Sequence, residues 1–185
     1  MPYARMDRGT ADDYAYELSL LPQRQKAVPD FLLGQLELLK GEAGGAQIDR
    51  FDHSLQTATR VLRDGAEAPE VVAALLHDIG DILAPTNHAE LAAAILRPFV
   101  SDETYWVVKH HDIFQGYYFF HHIGHDRMVR ELYRDSPHYA ACVRFCHRYD
   151  QVSFDPAYDT ESLDTFLPLL RDVFGREPGD VCSAR

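Results

Sequence analysis

The chain has 185 residues, of which 46% are hydrophobic and 25% are charged, a composition typical of a globular domain. A chain of this length buries a sizeable core without a disulfide or a structural metal, which argues against the disulfide-stapled and disordered classes. The formal net charge of −11 repels a phosphate backbone. We therefore expect one globular domain that has no nucleic-acid partner.

The N-terminal stretch MPYARMDRGTADDYAYE lacks the apolar core of a signal peptide, and the apolar runs are too short to span a bilayer. The chain contains three cysteines, Cys142, Cys146 and Cys182, whose spacing matches no zinc knuckle. We expect free thiols, with the first two packed one helical turn apart. The sequence thus predicts a cytoplasmic protein that does not enter a membrane.

Apolar residues recur at three- and four-residue spacing along most of the chain, and no stretch alternates as a strand does. The pattern predicts an all-α fold of seven or eight short helices. The helical segments are 29–40, 52–66, 69–80, 88–99, 102–111, 125–134, 136–150 and 160–174. We divide the chain into an N-terminal extension over residues 1–28, a helical domain over 29–174 and a C-terminal tail over 175–185.

The central motif is the pair His77-Asp78, which follows the apolar run VVAALL and is stopped by Gly80. A carboxylate at the buried end of such a helix needs a partner, because an unpaired buried charge is very costly. A metal ion satisfies this need. Adjacent side chains on a helix point about 100° apart, so His77 can bind one ion while the two oxygens of Asp78 reach that ion and a second one.

Further candidate ligands stand at the ends of the predicted helices. His53 and His88 open helices, whereas His111 and Asp150 close them, so the four side chains can converge at the mouth of a helical bundle. A lone histidine on an apolar helix is more often a hydrogen-bonded core residue than a ligand. His110 competes with His111 for the same role, since both end one predicted helix.

Four of these residues follow the H…HD…D order of the HD-domain superfamily: His53, His77, Asp78 and Asp150. With His88 and His111 between the pair and the last aspartate, and with the segments HSLQTA, ALLHDIGD and NHAELAAAIL, the chain resembles the mixed-valent di-iron oxygenases of that superfamily. That group includes enzymes that cleave hydroxylated organophosphonates and, more distantly, myo-inositol oxygenase.

The resemblance implies an HD-domain helical bundle with a buried dinuclear metal site. It implies two iron ions (Fe2+/Fe3+), the first held by His53, His77, Asp78 and Asp150, the second by Asp78, His88 and His111. The partners would be O2 and a small polar substrate, in which a C–P or C–C bond next to a hydroxyl-bearing carbon is cleaved. The iron pair would carry the redox chemistry, while the protein supplies geometry and a dry pocket.

Four residues are predicted to take part in catalysis: Asp78, Gln56, Arg60 and Asp81. Gln56 and Arg60 lie on the same helix face as His53. Gln56 is therefore a candidate for a hydrogen-bond partner of the metal ligands, and Arg60 is a candidate for a contact with an anion. A solvated polar face explains them equally well. Asp81 follows the central pair by one turn and should line the pocket.

Two positions depart from the phosphonate-cleaving relatives. Those enzymes have a basic or neutral residue where this chain has Asp81, and a phosphonate-binding lysine where it has Gln115. Both changes remove positive charge. The acid, together with the aromatic residues in 113–120, would suit a cationic head such as a quaternary ammonium group, although most aromatic runs are simply core.

Two alternatives stay open. The first is a metal-dependent phosphohydrolase acting on a nucleotide or a small phosphate ester, with manganese or another divalent metal in place of iron. Its weakness is the shortage of basic residues, since Lys109 and Arg60 are the obvious candidates. The second is a non-catalytic HD module that binds a ligand, which would have no need to keep open metal positions.

Overall fold

The computed structural model describes residues 3–179, so Cys182 and the last part of the predicted tail lie outside the described residues. Within this range the chain forms α-helices and helical turns and no strand, which confirms the all-α prediction. The helices are α1 (Ala11–Ser19), α2 (Leu21–Glu37), α3 (Arg50–Arg63), α4 (Ala68–Leu76), α5 (His88–Leu96), α6 (Asp102–Phe119), α7 (Tyr139–Phe145) and α8 (Leu163–Gly175).

Helix α4 forms the centre of the bundle. It starts at a proline in its first turn, and every side chain from Val71 to Leu76 is buried. A helix that is apolar on all sides belongs in a core, and α4 packs against both α3 and α8. Full burial stabilises the fold by about 1.5–3 kcal/mol for a side chain such as Leu75 or Leu76. The residues that directly follow α4 are therefore held deep inside the molecule.

The N-terminal part is more helical than the sequence predicts. Thr10 and Asp13 form a capping box that starts α1. Helix α2 begins at Leu21 with a proline in its first turn, and Pro29 lies buried inside this helix rather than at its start. Helix α2 thus crosses the position at which the sequence places the start of the helical domain, and the limits of that domain stay a prediction.

Two further segments differ from the prediction. Helix α6 does not end at His111 but continues through Gly116 to Phe119, because no proline interrupts residues 112–119. The segment 125–134 forms a short 3₁₀ turn over Val129–Tyr133 instead of an α-helix. There the side chain of Asp126 accepts a hydrogen bond from the backbone N–H of Met128, a local bond that competes with helix formation.

The thiols of Cys142 and Cys146 are free and buried one turn apart. Each points to a backbone carbonyl of α6, Cys142 Sγ at 3.7 Å from the oxygen of Val107 and Cys146 Sγ at 3.5 Å from that of His111. These contacts hold α7 and the turn after it against α6. None of the helices in residues 3–179 combines the length and the apolar character needed to cross a bilayer.

Candidate metal centre

The structure brings all six predicted ligands together. They come from separate elements: His53 from α3, His77 and Asp78 from the end of α4, His88 from the first residue of α5, His111 from the middle of α6, and Asp150 from the turn after α7. Five of the six are buried, and the side chain of His88 is 19% exposed. Their nitrogen and oxygen atoms fall into overlapping groups whose members lie within 4.8 Å of one another: His53, His77 and Asp150; His77, Asp78 and His111; and Asp78 and His88 together with Asp81.

Local structure explains how each ligand reaches the cluster. The side chain of Asp49 accepts a hydrogen bond from the N–H of Asp52, which starts α3 one turn before His53. Helix α5 packs on α6, which brings the ring of His88 to 5.3 Å from that of His111. Residues Cys146–Asp150 form a π-helical turn, in which the helix widens by one residue just before Asp150.

The first group of atoms surrounds a single point. His53 Nε2 lies 3.2 Å from His77 Nε2 and 3.3 Å from Asp150 Oδ1. Asp78 Oδ2 lies 3.5 Å from both imidazole nitrogens, and His77 Nε2 lies 3.8 Å from Asp150 Oδ1. Neighbouring ligand atoms of an octahedral ion with bonds of about 2.1 Å are about 3 Å apart. The four side chains therefore need little movement to hold one cation.

The second group uses the other oxygen of Asp78. Its Oδ1 atom lies 3.1 Å from His111 Nε2 and 3.4 Å from His88 Nε2. Each oxygen of this one carboxylate thus faces a different pair of histidines. A carboxylate in this position can bridge two cations, which is the arrangement of a dinuclear site.

The hydrogen bonds of the imidazole rings orient their lone pairs towards the cluster. The Nδ1 atoms of His53, His77 and His111 lie 2.7–2.8 Å from the backbone oxygens of Ser153, Ala74 and Val108. A carbonyl oxygen can only accept, so each Nδ1 donates its proton. In a neutral ring the Nε2 atom then carries the lone pair, as in metal-binding histidines.

The cluster contains polar atoms that the protein itself does not satisfy. When both rings are neutral, His53 Nε2 and His77 Nε2 face each other as acceptors, and Asp150 Oδ2 is buried without a hydrogen-bond partner among the described residues. Buried groups of this kind are costly unless a cation or water pairs with them. Four imidazoles and two carboxylates form an N/O donor set that fits iron or manganese, because no thiolate in it favours a softer ion.

Charge inside the cluster also favours cations. Burial raises the pKa of Asp78, but the nearby His77 and His111 outweigh it, so this pKa lies well below its usual range. The pKa of Asp150 is lowered in the same way by His53 and His77. Burial lowers the pKa of His111, yet the hydrogen bond and charge of Asp78 raise it to about 10. Without metal, the raised pKa of His111 favours a proton between its ring and Asp78.

A cavity of about 410 Å³ opens beside the second group. Asp78, His88, His111 and Asp150 form its inner wall. The other lining residues are polar or aromatic: Arg50, Asp81, Asp112, Gln115, Tyr118, Phe119, Gln151 and Phe154. A small molecule in this cavity would contact the cluster directly. Of the aromatic run in 113–120, Phe114 is fully buried core, whereas Tyr118 and Phe119 reach the cavity.

The sequence analysis missed Arg50. Its Nε atom lies 3.1 Å from Asp81 Oδ2, and its Nη1 atom lies 3.7 Å from Asp78 Oδ2. Arg50 stands three residues before His53 on α3, and this spacing puts the two side chains on one helix face. That spacing was a sufficient signal to find it. Lys109, which the sequence analysis did consider, lies instead on the far side of α6, near Glu90.

The remaining predicted residues have defined positions. Asp81 lines the cavity, and its Oδ1 atom lies 3.4 Å from His88 Nδ1. His110 points away from the cluster: its Nδ1 donates to the backbone oxygen of Trp106 at 2.8 Å, and its ring stacks on the indole. Of the two adjacent histidines, His111 is therefore the one that faces Asp78.

Gln56 and Arg60 bind the chain segment that follows Asp150. The amide of Gln56 forms two hydrogen bonds with the backbone of Asp155, at 2.7 and 3.3 Å. The guanidinium of Arg60 bonds to Ser153 and lies 3.7 Å above the ring of Tyr158, where it lines a separate shallow pocket. An anion contact at Arg60 in the catalytic pocket stays a prediction.

Comparison with known proteins agrees with this geometry. A search of curated protein sequences found no significant match. A scan of protein families matches residues 50–151, more than half of the chain, to the family described as HD domain. The match begins at Arg50 and ends directly after Asp150, so it encloses all six candidate ligands. The chain therefore belongs to the HD-domain family.

Proposed function

We propose that this protein is a di-iron HD-domain oxygenase, which uses O2 to cleave a C–P or C–C bond next to a hydroxyl-bearing carbon of a small polar substrate. The observation that carries the proposal is the position of Asp78, whose two oxygens face different pairs of histidines at 3.1–3.5 Å. A mononuclear site would use one side of this carboxylate. A shared carboxylate supports a pair of metal ions.

The donor set is compatible with a pair of iron ions. With Asp78 shared, the first ion would have four protein ligands and the second three, all of them imidazole nitrogens or carboxylate oxygens. Octahedral ions take about six ligands, so both would keep positions for exogenous molecules. When bound, the two iron ions would supply the stabilisation of a substrate alkoxide and the electrons that activate O2.

Aromatic rings pack against the histidines of the first group, which suits this chemistry. The ring of Phe154 stacks on His53 at a centroid distance of 4.2 Å, and the edge of Phe145 meets His77 at 5.7 Å. These rings exclude water from two sides of the first group. Electrostatic interactions strengthen where water is excluded, so Asp78 and Asp150 would stabilise cations strongly there.

The lining of the cavity supports a substrate that carries a cationic group. Asp112 contributes negative charge, Asp81 does so beside the guanidinium of Arg50, which offsets part of it, and Tyr118, Phe119 and Phe154 contribute aromatic surface. A quaternary ammonium head is attracted both to carboxylates and to aromatic faces. A hydroxylated organophosphonate with such a head would place its anionic end at the metals and its cationic end at the acids.

Two measurements test the oxygenase proposal. Protein produced in iron-replete medium should contain close to two iron ions per chain, and partial oxidation of the reduced protein should give the electron paramagnetic resonance signal of a coupled Fe2+/Fe3+ pair. Oxygen uptake should then depend on a hydroxyphosphonate, and should be faster with a trimethylammonium compound than with its uncharged analogue. Iron-free protein, or iron-loaded protein that consumes no oxygen with either compound, would contradict the proposal.

A phosphohydrolase is the second candidate, and Arg50 is the observation that favours it. The guanidinium lies 3.7 Å from Asp78 Oδ2 and lines the cavity, so a phosphate held between two cations would meet a third positive charge. Release of inorganic phosphate from a nucleotide panel under anaerobic conditions, with Mn2+ added, would support this candidate. The oxygenase requires O2 and the hydrolase does not, so one pair of assays separates them.

A further inference from the structure

Residues 151–161, here called the strap, follow Asp150 and run along helix α3. The polar face of α3 binds the strap at several points. Gln56 bonds to the backbone of Asp155, and the hydroxyl of Thr59 accepts a hydrogen bond from the N–H of Glu161 at 3.1 Å. These contacts join residues about a hundred positions apart in the chain. The strap is therefore anchored to α3 by hydrogen bonds, in addition to short-range bonds of its own such as that from the N–H of Tyr158 to the backbone oxygen of Asp155.

Ser153 connects the strap to the metal cluster. Its backbone oxygen accepts the Nδ1 proton of His53 at 2.8 Å, and its hydroxyl oxygen accepts a hydrogen bond from Arg60 Nε at 3.1 Å. Arg60 Nη2 also donates to the backbone oxygen of Val152 at 3.0 Å. Ser153 is fully buried. One residue thus links the guanidinium of Arg60 to the ring of His53.

Among the described residues, the hydrogen bonds of the strap to the candidate ligands reach one side of the cluster, although Gln151 and Phe154 also line the cavity beside the other side. The strap begins next to Asp150 and orients His53, and both residues belong to the first group of atoms. In the second group, His111 Nδ1 donates to Val108 within α6, and His88 Nδ1 faces Asp81. The two groups therefore have separate supports, although they share Asp78.

We propose that Arg60 and Gln56 are positioning residues that act through Ser153 on His53 and so set the affinity of the first metal ion, but not of the second. This inference rests on the proposed dinuclear centre. Loss of the hydrogen bonds that orient ligating histidines weakens metal binding by about 10–100-fold. Arg60 acts one bond further away, through Ser153, and Gln56 acts through the backbone of Asp155 two residues along the strap, so we expect an effect of about 10-fold for Arg60 and a smaller one for Gln56.

The test uses metal-free protein titrated with Mn2+ alone in a calorimeter, in two backgrounds that separate the ions. His88→Ala removes a ligand of the second group and leaves the first, whereas His53→Ala does the reverse. Arg60→Met should weaken Mn2+ binding about 10-fold in the His88→Ala background and by less than twofold in the His53→Ala background. Arg60→Lys keeps one donor for Ser153 and should restore part of the affinity.

Arg63→Met is the matched control. Arg63 lies on the same helix and also bonds to the strap, but to Asp159 and Glu161 beyond the part that carries Ser153. Arg63→Met should change the Mn2+ affinity of either background by less than twofold. Gln56→Met removes the two bonds to Asp155 and provides a second variant if Arg60→Met does not fold, as judged by circular dichroism of the metal-free protein.

Equal weakening in both backgrounds, or none in the His88→Ala background, would overturn the inference, because a general loss of packing would not distinguish the ions. A wild-type protein that takes up no Mn2+ would overturn it together with the proposed function. A wild-type protein that takes up a single ion would contradict the dinuclear centre alone. The effect of Arg60→Met on that ion would still support or overturn the role of the strap.

Discussion

His53 Nε2 lies 3.2 Å from His77 Nε2, and both rings donate their Nδ1 protons to backbone carbonyls. Two neutral imidazoles in this arrangement point their lone pairs at each other, which is unfavourable unless a cation lies between them. The unpartnered Oδ2 atom of Asp150 in the same cluster has the same need. The folded protein thus presents a preformed site, and folding and metal binding should be coupled.

Metal should therefore stabilise the fold. A divalent ion that binds the folded but not the unfolded chain adds about 2.7 kcal/mol to the free energy of unfolding at a concentration a hundred times its Kd. We expect Mn2+ or anaerobic Fe2+ to raise Tm and EDTA to lower it, as measured by differential scanning calorimetry. In Asp150→Asn, which removes a charge from the first group, the increase should be smaller. An identical Tm with Mn2+ and with EDTA would contradict the prediction.

Asp78 is the one candidate ligand that both groups share. Its replacement by asparagine removes the negative charge that faces all four ligating histidines and should abolish binding of both ions. His88→Ala, by contrast, should lose one ion and keep the other. Elemental analysis after dialysis gives the ratio of metal to protein for each variant. A ratio near one in Asp78→Asn would show that its carboxylate is not shared, contrary to the expectation.

Gly80 allows α5 to approach the end of α4. A Cβ atom at this position would lie 2.8 Å from the backbone oxygen and 2.9 Å from the Cα of His88. Because these are backbone atoms, the start of α5 would have to move, and overpacking of this kind costs about 1–3 kcal/mol. Gly80→Ala should lower the free energy of unfolding by this amount. It should also weaken the binding of the second ion, for which His88 is a candidate ligand.

Gly34→Ala is the control for the previous substitution. Gly34 lies in α2 with no atom within 4 Å of an added Cβ, so alanine there should stabilise the protein by about 0.5–1 kcal/mol through the unfolded chain. Urea denaturation measures both variants, and Mn2+ titration reports on the second ion. If Gly80→Ala binds Mn2+ as tightly as wild type at both positions, the close approach does not position His88.

The sequence predicts that the six candidate ligands converge, because the signal for each of them lies in the residues next to it in the chain. His53, His88, His111 and Asp150 stand at the ends of predicted helices, the pair His77-Asp78 follows a helix that is apolar on all sides, and their order matches that of the HD-domain superfamily. The all-α fold follows from this pattern and agrees with the structure.

The contacts that surround the cluster cannot be predicted from the sequence in this way, because they join distant parts of the chain. Gln56 and Arg60 are separated from their partners in the strap by more than ninety residues, and nothing in the local sequence names those partners. The π-helical turn that ends at Asp150 includes Cys146, whose thiol contacts the backbone oxygen of His111 on α6, 35 residues away in the chain.

The pH dependence of metal binding gives the last prediction. The pKa of His111 is raised from 6.5 to about 10 in the metal-free protein: burial opposes protonation, but the hydrogen bond and charge of Asp78 outweigh it. Near pH 7 the ring is therefore protonated, and an ion can bind Nε2 only if that proton leaves. Lower pH favours the protonated ring, so affinity should fall as pH falls.

The His53→Ala background isolates the second ion for this measurement. If His111 releases one proton for each ion that binds, Mn2+ affinity should fall about tenfold for each pH unit as the pH is lowered from 8 to 6. Calorimetry in two buffers with different ionisation enthalpies, at one pH, counts the released protons directly. Asp78 stays ionised over this range because its own pKa is well below its usual value, so it releases no further proton when the ion binds. An affinity that is constant from pH 6 to 8 would mean that His111 is already neutral, or that it is not a ligand.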